Sequence, residues 1–440
     1  MKILIVDIYK DVTHRISKDT SGGYGTGNNF GDSLFTNFLK KTLKKIHEWP
    51  PLFAVYTLSV LMKNGHDVDF YNELPDDYEK YDLYIITSSI VCCETELSTI
   101  KKIKEEKNKI FAIGPFATNK PKIYSNAGAT VISGEPEFYF LQENNLEEDL
   151  KKELIIVKHN FELDDLPFPY WDKVINNSKK VSLLFGNYST LPIIATRGCP
   201  YSCFKYCVYP LQQGRKVRQR SPKKIVDEME YWKNKMNIGM FVFRDPVFSI
   251  NRKHTIEFAE ELISRKLNLK FIIETHLRIL DSELIKILKE AGLKGTKVGV
   301  ESADASVMSD ANRFTIDKDE QYQKIRELEK NKIQVSAMFI LGFPSDTEDS
   351  MSNTIKYAKK LNTTYAQFSI WTPYPGTPVF EEYKDKILVK NYEEYDQYNL
   401  IYKHGCLSES KVRFYLEKSY ENFYLRFGWM KKFIFSFING

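Results

Sequence analysis

The sequence predicts an α/β protein built in two successive parts, an open doubly wound parallel sheet and then a partial (β/α)6 barrel, ending in a helical tail. Short apolar runs alternate with amphipathic segments from residue 1 to about 140, and again about six times between 191 and 384. Between these stretches, Asp164-Asp-Leu-Pro167-Phe-Pro169-Tyr-Trp171 is held extended by its prolines, so residues 141–190 read as a linker. A chain of 440 residues exceeds one ordinary domain, which suits two sheets and a tail at 385–440.

In the first part, residues 2–7 read as a strand, an apolar run ended by an acid. Residues 51–62 form a helix stopped at Gly65. Strands follow at 68–71 and 81–87, the second leading into Ser88-Ser89. A helix at 95–106 and strands at 109–114 and 130–133 complete the set. Parallel sheets of this kind take ligands at their C-terminal strand ends. Those ends carry Ser88-Ser89, Gly114-Pro115 and Gly134-Glu135, whose small residues let a flat ligand approach the backbone. The stretch from Ser21 to Gly31, with its repeated glycines, offers backbone amides to an anion or a ring over the same sheet edge.

In the second part, the apolar run 191–196 is a buried strand that opens into a loop with three cysteines. Ser221 N-caps the next helix, with Pro222 at its first position. The strand at 239–244 ends at Asp245. A helix covers 253–266, a strand 270–274, and a helix 281–291 is closed by Gly292. The strand at 296–300 ends at Glu301-Ser302. After a helix at 317–331, the strand at 335–341 ends at Gly342-Phe-Pro344. A helix at 346–361 precedes the last strand, 366–371, which runs into Pro373-Tyr374. Barrels of such units carry their active sites at the C-terminal strand ends. The polar residues collect there: Asp245, Glu274, His276, Arg278, Glu301, Ser302 and Tyr374.

Cys199, Cys203 and Cys207 fall within nine residues on the loop after that first strand. Three thiolates on one short loop can hold a [4Fe–4S] cluster and leave one iron open, since four cysteines are the full complement. A zinc site, a redox pair and ordinary buried thiols are the other readings. Structural zinc sites need a second pair of ligands elsewhere, and Cys92-Cys93, Cys406 and His276 are what the chain offers.

The loop resembles the C-x3-C-x2-C loop of radical S-adenosylmethionine (SAM) enzymes, including the aromatic residue before the last cysteine, here Tyr206. It is one residue longer, reading C-x3-C-x3-C, an addition of less than ~4 Å of chain. The Gly299-Val-Glu301-Ser302 and Gly342-Phe-Pro344 steps are similar to strand-end motifs of the same enzymes. The resemblance implies that Cys199, Cys203 and Cys207 hold a [4Fe–4S] cluster whose open iron chelates SAM. It also implies that Tyr206 lies against adenine, that Glu301 accepts from ribose or the SAM amino group, and that Asp245, Glu274 and Ser302 line the cofactor. The first part resembles the Rossmann-like cobalamin-binding domain of one large subgroup, through Gly114-Pro115 and Ser133-Gly134-Glu135-Pro-Glu137. That likeness implies cobalamin against Ser88, Ser89, Gly114, Gly134 and Glu135. The subgroup's Asp-x-His-x-x-Gly signature is absent, and His14 reads as a surface histidine.

The implied activity is reductive cleavage of SAM and radical chemistry on an unactivated carbon of a small-molecule or biosynthetic-intermediate substrate. Methyl transfer is the leading outcome, rearrangement or ring formation the alternative, and flavodoxin or ferredoxin the implied electron donor. Methylthiolation of tRNA would call for more N-terminal cysteines and a basic RNA-binding end. A zinc-stabilised binding module is the non-enzymatic alternative. A net charge of +5, from 63 basic and 58 acidic residues, is too small to predict a nucleic-acid partner. No run of about 18 apolar residues occurs, residues 1–7 read as a strand and not as a signal's apolar core, and six cysteines make no disulfide framework. A reducing cytoplasm is the expected compartment. In the tail, Phe414, Tyr415, Tyr420, Phe423, Tyr424, Phe427, Trp429, Phe433 and Phe435 recur among basic residues. They predict an aromatic face packed on the barrel, with membrane-surface contact as the alternative.

Overall fold

Two six-stranded parallel sheets organise the chain in a computed structural model that describes residues 1–45, 49–106, 109–142, 144–158, 161–175 and 188–438. The first sheet contains β1 (Lys2–Val6), β2 (Asp67–Tyr71), β3 (Leu83–Thr87), β4 (Ile110–Ile113), β5 (Thr130–Ser133) and β6 (Leu154–Ile156), in the order β2-β1-β3-β4-β5-β6. Every pairing is parallel, and the order reverses at β1. The central strands β3 and β4 are buried throughout, and β1 from Ile3 onward, as strands covered on both faces must be.

The second sheet contains β7 (Thr190–Ile193), β8 (Met240–Phe243), β9 (Lys270–Thr275), β10 (Leu293–Glu301), β11 (Gln334–Leu341) and β12 (Tyr365–Ile370). They lie in chain order and are all parallel. Among the described residues β7 and β12 do not pair, so the sheet is a curled half-barrel and not a closed one. The helices between its strands start and stop where side chains satisfy their ends. Ser221 and Asp281 accept from Lys224 N and Leu284 N, and Asn237 and Gly292 end their helices in the left-handed conformation.

Three segments differ from the sequence reading. Helix Leu34–Lys44 was not expected, although Leu34, Phe35, Phe38, Leu39 and Leu43 recur at helical spacing; Leu34 (94 % exposed) and Phe38 (66 %) nevertheless point to solvent. The connector is not a free linker: β6 pairs with β5, Trp171 is fully buried, and the Asp164 carboxylate accepts from Ser221 N at 3.0 Å. Residues 176–187 of it lie outside the described residues. The tail forms helices Glu409–Tyr424 and Phe427–Ile438, and its aromatic residues divide. Tyr420 and Phe423 are buried on the half-barrel, whereas Phe414 and Phe427 (78 %) are exposed. The side chain of Phe435 lies outside the described residues.

Candidate active site

The cysteine loop is closed at its base by a short ribbon, in which Thr196-Arg197 pairs antiparallel with Arg218-Gln219. Gly198 has φ +89°, and a Cβ there would run into the Lys216 carbonyl, so glycine is required where the loop leaves the ribbon. A single 3-10 turn, Ser202–Lys205, brings Cys207 N to donate to Cys203 O at 3.1 Å. Cys199 and Cys203 are buried and Cys207 is partly so. Burial pushes the Cys199 and Cys207 thiols up, with Cys203 adding repulsion to both. The three thiols therefore share one electrostatic environment. Among the described residues, however, no three His, Cys, Asp or Glu side chains gather closely enough for a single metal ion.

Arg313 stands over this loop. Its Nη1 donates to Cys203 Sγ at 3.6 Å and its Nη2 lies 3.1 Å from Glu301 Oε1. Glu301 ends β10 at φ +64°, next to a register shift between Gly299 and Glu301, an irregularity that re-aims a strand-end side chain. Burial pushes the Glu301 carboxyl up and the Arg313 charge pulls it back. The Tyr206 ring packs edge-on to Phe343 with centroids 6.0 Å apart. His276 accepts from Arg278 N at 3.2 Å, and its ring lies 6.0 Å from that of Tyr201. Burial, then the Arg313 charge, push His276 down to about 4.

Buried ion pairs join the base of the loop to the first sheet. Arg197 pairs with Glu135 and, at 2.5 Å, with Glu137, while Arg218 lies 2.7 Å from Glu135. The Arg197 guanidinium also faces the Tyr56 ring. A second link pairs Arg244 with Asp19 at 2.8 Å, beside Tyr209 of the loop.

The structure gathers Cys199, Cys203, Cys207, Tyr206 and Glu301 around Arg313, with Glu274 on the neighbouring strand β9. Several other expected site residues are occupied internally. The Asp245 carboxylate accepts from Ala195 N (3.1 Å) and Thr196 N, so it holds the strand end that leads into the loop. Ser302 Oγ bonds Thr354 Oγ1 and accepts from Asp304 N. Ser88 Oγ accepts from Ala117 N, and Ser89 bonds Glu96 through both its N and Oγ. A Cβ at Gly114 would sit 2.7 Å from the Phe53 ring, and Gly134 N donates to Thr118 Oγ1 at 3.0 Å. Glu135 faces the two arginines. Tyr374 is buried against Tyr24, ring centroids 5.4 Å apart. His14 is half-buried and lies by Gly27 and Asp396, far from a bare surface position. Sequence reasoning missed Arg313, Arg197, Arg218, Asp19 and Lys297. The one available signal was Arg197, a charged residue at the end of a buried strand and directly before Gly198-Cys199.

The radical SAM superfamily profile matches residues 193–358, from the end of β7 into the helix before β12. The chain is 26 % identical over 412 residues to an uncharacterized methyltransferase, PH0819, of Pyrococcus horikoshii, covering 86 % of this chain and 88 % of that one. It is 25 % identical over 369 residues to the bacteriochlorophyllide d C-12(1)-methyltransferase of Chlorobaculum tepidum, covering 81 % and 78 %. Its fold is similar to that of TsrM, a radical S-adenosylmethionine methyltransferase of Kitasatospora setae solved with cobalamin and a [4Fe–4S] cluster. That likeness has a TM-score of 0.62 at 15 % identity, over 87 % of this chain and 74 % of TsrM. The matched stretch, residues 193–358, carries the cysteine loop at the mouth of the parallel half-barrel, so this part of the chain is a radical SAM superfamily domain, with a second parallel sheet packed against it.

Proposed function

We propose that this enzyme is a cobalamin-dependent radical SAM methyltransferase acting on a poorly activated carbon of a small-molecule or biosynthetic-intermediate substrate. Residues 1–140 would be its cobalamin-binding domain and 191–384 its radical SAM domain. The observation that carries the reading is the ribbon-closed loop bearing Cys199, Cys203 and Cys207 at the C-terminal end of β7.

The donor set fits a [4Fe–4S] cluster. Three cysteines on one short loop are one fewer than a cluster's full complement, which would leave one iron open to SAM. When bound, such a cluster supplies the electron that breaks the sulfonium C–S bond of SAM and yields a 5′-deoxyadenosyl radical. The chain's own residues do the positioning. Arg313 holds Cys203 and Glu301 together, Asp245 fixes the backbone entering the loop, and Glu301 and Tyr206 face the space beside the cysteines. The residues expected to cradle a corrinoid do not fit one in this arrangement. Ser88, Ser89, Gly114, Gly134 and Glu135 all meet protein groups, and the cleft between the glycine-rich segment, Glu135 and Arg244 measures about 50 Å³. Cobalamin dependence therefore rests on the likeness to TsrM.

Flavodoxin or ferredoxin would deliver the electron, in a reducing cytoplasm. No helix among the described residues is long and apolar enough to cross a membrane. The exposed Leu425, Phe427 and Met430 at the start of the last helix would allow contact with a membrane surface.

Anaerobic reconstitution with iron and sulfide tests the reading. About four irons per chain and 5′-deoxyadenosine from SAM under dithionite are expected, both lost in Cys199→Ala, Cys203→Ala or Cys207→Ala. Stoichiometric zinc with no SAM cleavage would overturn it.

A further inference from the structure

One face of the half-barrel carries two opposite charges side by side on neighbouring strands. Along β10, Thr296, Val298 and Val300 are buried against the helices, while Lys297, Gly299 and Glu301 alternate onto the other, more open face. Glu274 of β9 stands beside Lys297 in register and shares that face. So do Ser336 and Met338 of β11, and Gln367 of β12, which is exposed although it lies within a strand. Among the described residues, neither the Lys297 ammonium nor the Glu274 carboxylate has a hydrogen bond or an ion pair. Both are partly buried. Burial, then Arg244, push Lys297 down to about 8, with Glu274 and Asp19 pulling the other way, and burial pushes Glu274 up. Arg15, whose own charge also lowers Lys297, completes the groups facing it. The Glu274 carboxylate lies near the end of the cysteine loop, since its charge and that of Cys207 both act on Tyr209.

A partly buried charge that makes no hydrogen bond or ion pair is costly, and a ligand that supplies one reduces the cost. We propose that this face is the substrate site, with Lys297 binding an anionic oxygen group, carboxylate or phosphate, and Glu274 accepting from a hydroxyl or ammonium of the same molecule. The assignment rests on the enzymatic reading above and gives it a substrate class: a polar metabolite with an acidic end. Adjacent strands fix the two side chains side by side, so the acidic end and the hydroxyl or amine must lie a few bonds apart. Gly299, the next residue on this face of β10, is covered by the Glu301 carboxylate and the Arg313 guanidinium, so the site is bounded on the side of the cysteine loop by that ion pair.

Calorimetric titration of the reconstituted full chain with inorganic phosphate and with acetate tests this. Saturable binding of at least one anion is expected, and which of the two binds identifies the acidic group. Lys297→Met should weaken it about tenfold or more, and Lys297→Arg should keep it within about threefold, as a charge-assisted contact predicts. Glu274→Gln should tighten it, because a repelling carboxylate is removed; a merely structural role for Glu274 would weaken it. No saturable binding, an unchanged Lys297→Met, or a weakened Glu274→Gln overturns the assignment. The same titrations are run on the full chain before reconstitution, so anion binding there with no iron uptake or SAM cleavage after reconstitution would fail the enzymatic reading alone.

Discussion

A Cβ on Gly299 would lie 2.7 Å from Arg313 Nη2, so the glycine makes the room in which the guanidinium reaches both Cys203 and Glu301. Gly299→Ala is expected to push Arg313 aside. It should lower 5′-deoxyadenosine formation about tenfold while changing stability by about 1 kcal/mol or less, since the backbone there suits alanine. His276 supplies a pH test. Its folded pKa is about 4, below the unfolded value of 6.5, so between those values the unfolded chain binds the extra proton. The histidine's contribution is full above about pH 6.5 and is lost as pH falls toward 4. Urea midpoints of wild type should therefore fall faster over that window than those of His276→Gln; equal slopes would refute the account. The cysteines were legible because their spacing is local. Arg313 was not, because it meets Cys203 across 110 positions of chain and no pattern marks it.

At the scale of elements, the tail helix does more than cover apolar surface. Strand β12 is the edge of the second sheet, and its outward backbone groups are satisfied by two tyrosine hydroxyls. Tyr420 OH accepts from Phe368 N at 3.1 Å and donates to Phe368 O at 2.8 Å, and Tyr424 OH accepts from Ala366 N at 3.0 Å and donates to Ala366 O at 2.6 Å. An open edge would otherwise invite pairing with another chain. Tyr420→Phe keeps the packing and leaves two buried groups unsatisfied. It should cost about 1–3 kcal/mol in urea unfolding, and light scattering should report more association during refolding. The aromatic spacing of this helix was visible in the sequence, and its packing on the half-barrel was the expectation. The targets of the hydroxyls were not visible, because they lie more than 50 positions away.

In the whole molecule, the two sheets are joined where the chemistry is proposed to occur. Arg197 sits two residues before Cys199 and pairs with Glu135 and Glu137 just beyond β5, and Tyr24 of the glycine-rich segment donates to Pro375 O at 2.7 Å beyond β12. The first sheet thus fixes the base of the cysteine loop. Arg197→Met would strand Glu137 in the interior, and breaking a buried pair from one side costs about 3–5 kcal/mol. That loss should appear as a lower urea midpoint together with reduced iron retention. A lower midpoint with full iron retention would mean that the clamp stabilises the fold without positioning the loop.

Periodicity and local spacing carried the α/β class, the two parallel sheets, most strand positions and the cysteine loop, because each depends on residues within a turn, a strand or one short loop. Contacts between distant segments decided the rest: Arg313 over Cys203, the arginine clamp from the first sheet, the tyrosine-sealed edge, and the internal duties of Asp245, Ser88, Ser89 and Ser302. A polar residue at a strand end can face a ligand or bond a neighbouring backbone, and both choices read the same in one dimension. Only the arrival of a partner from elsewhere in the chain separates them.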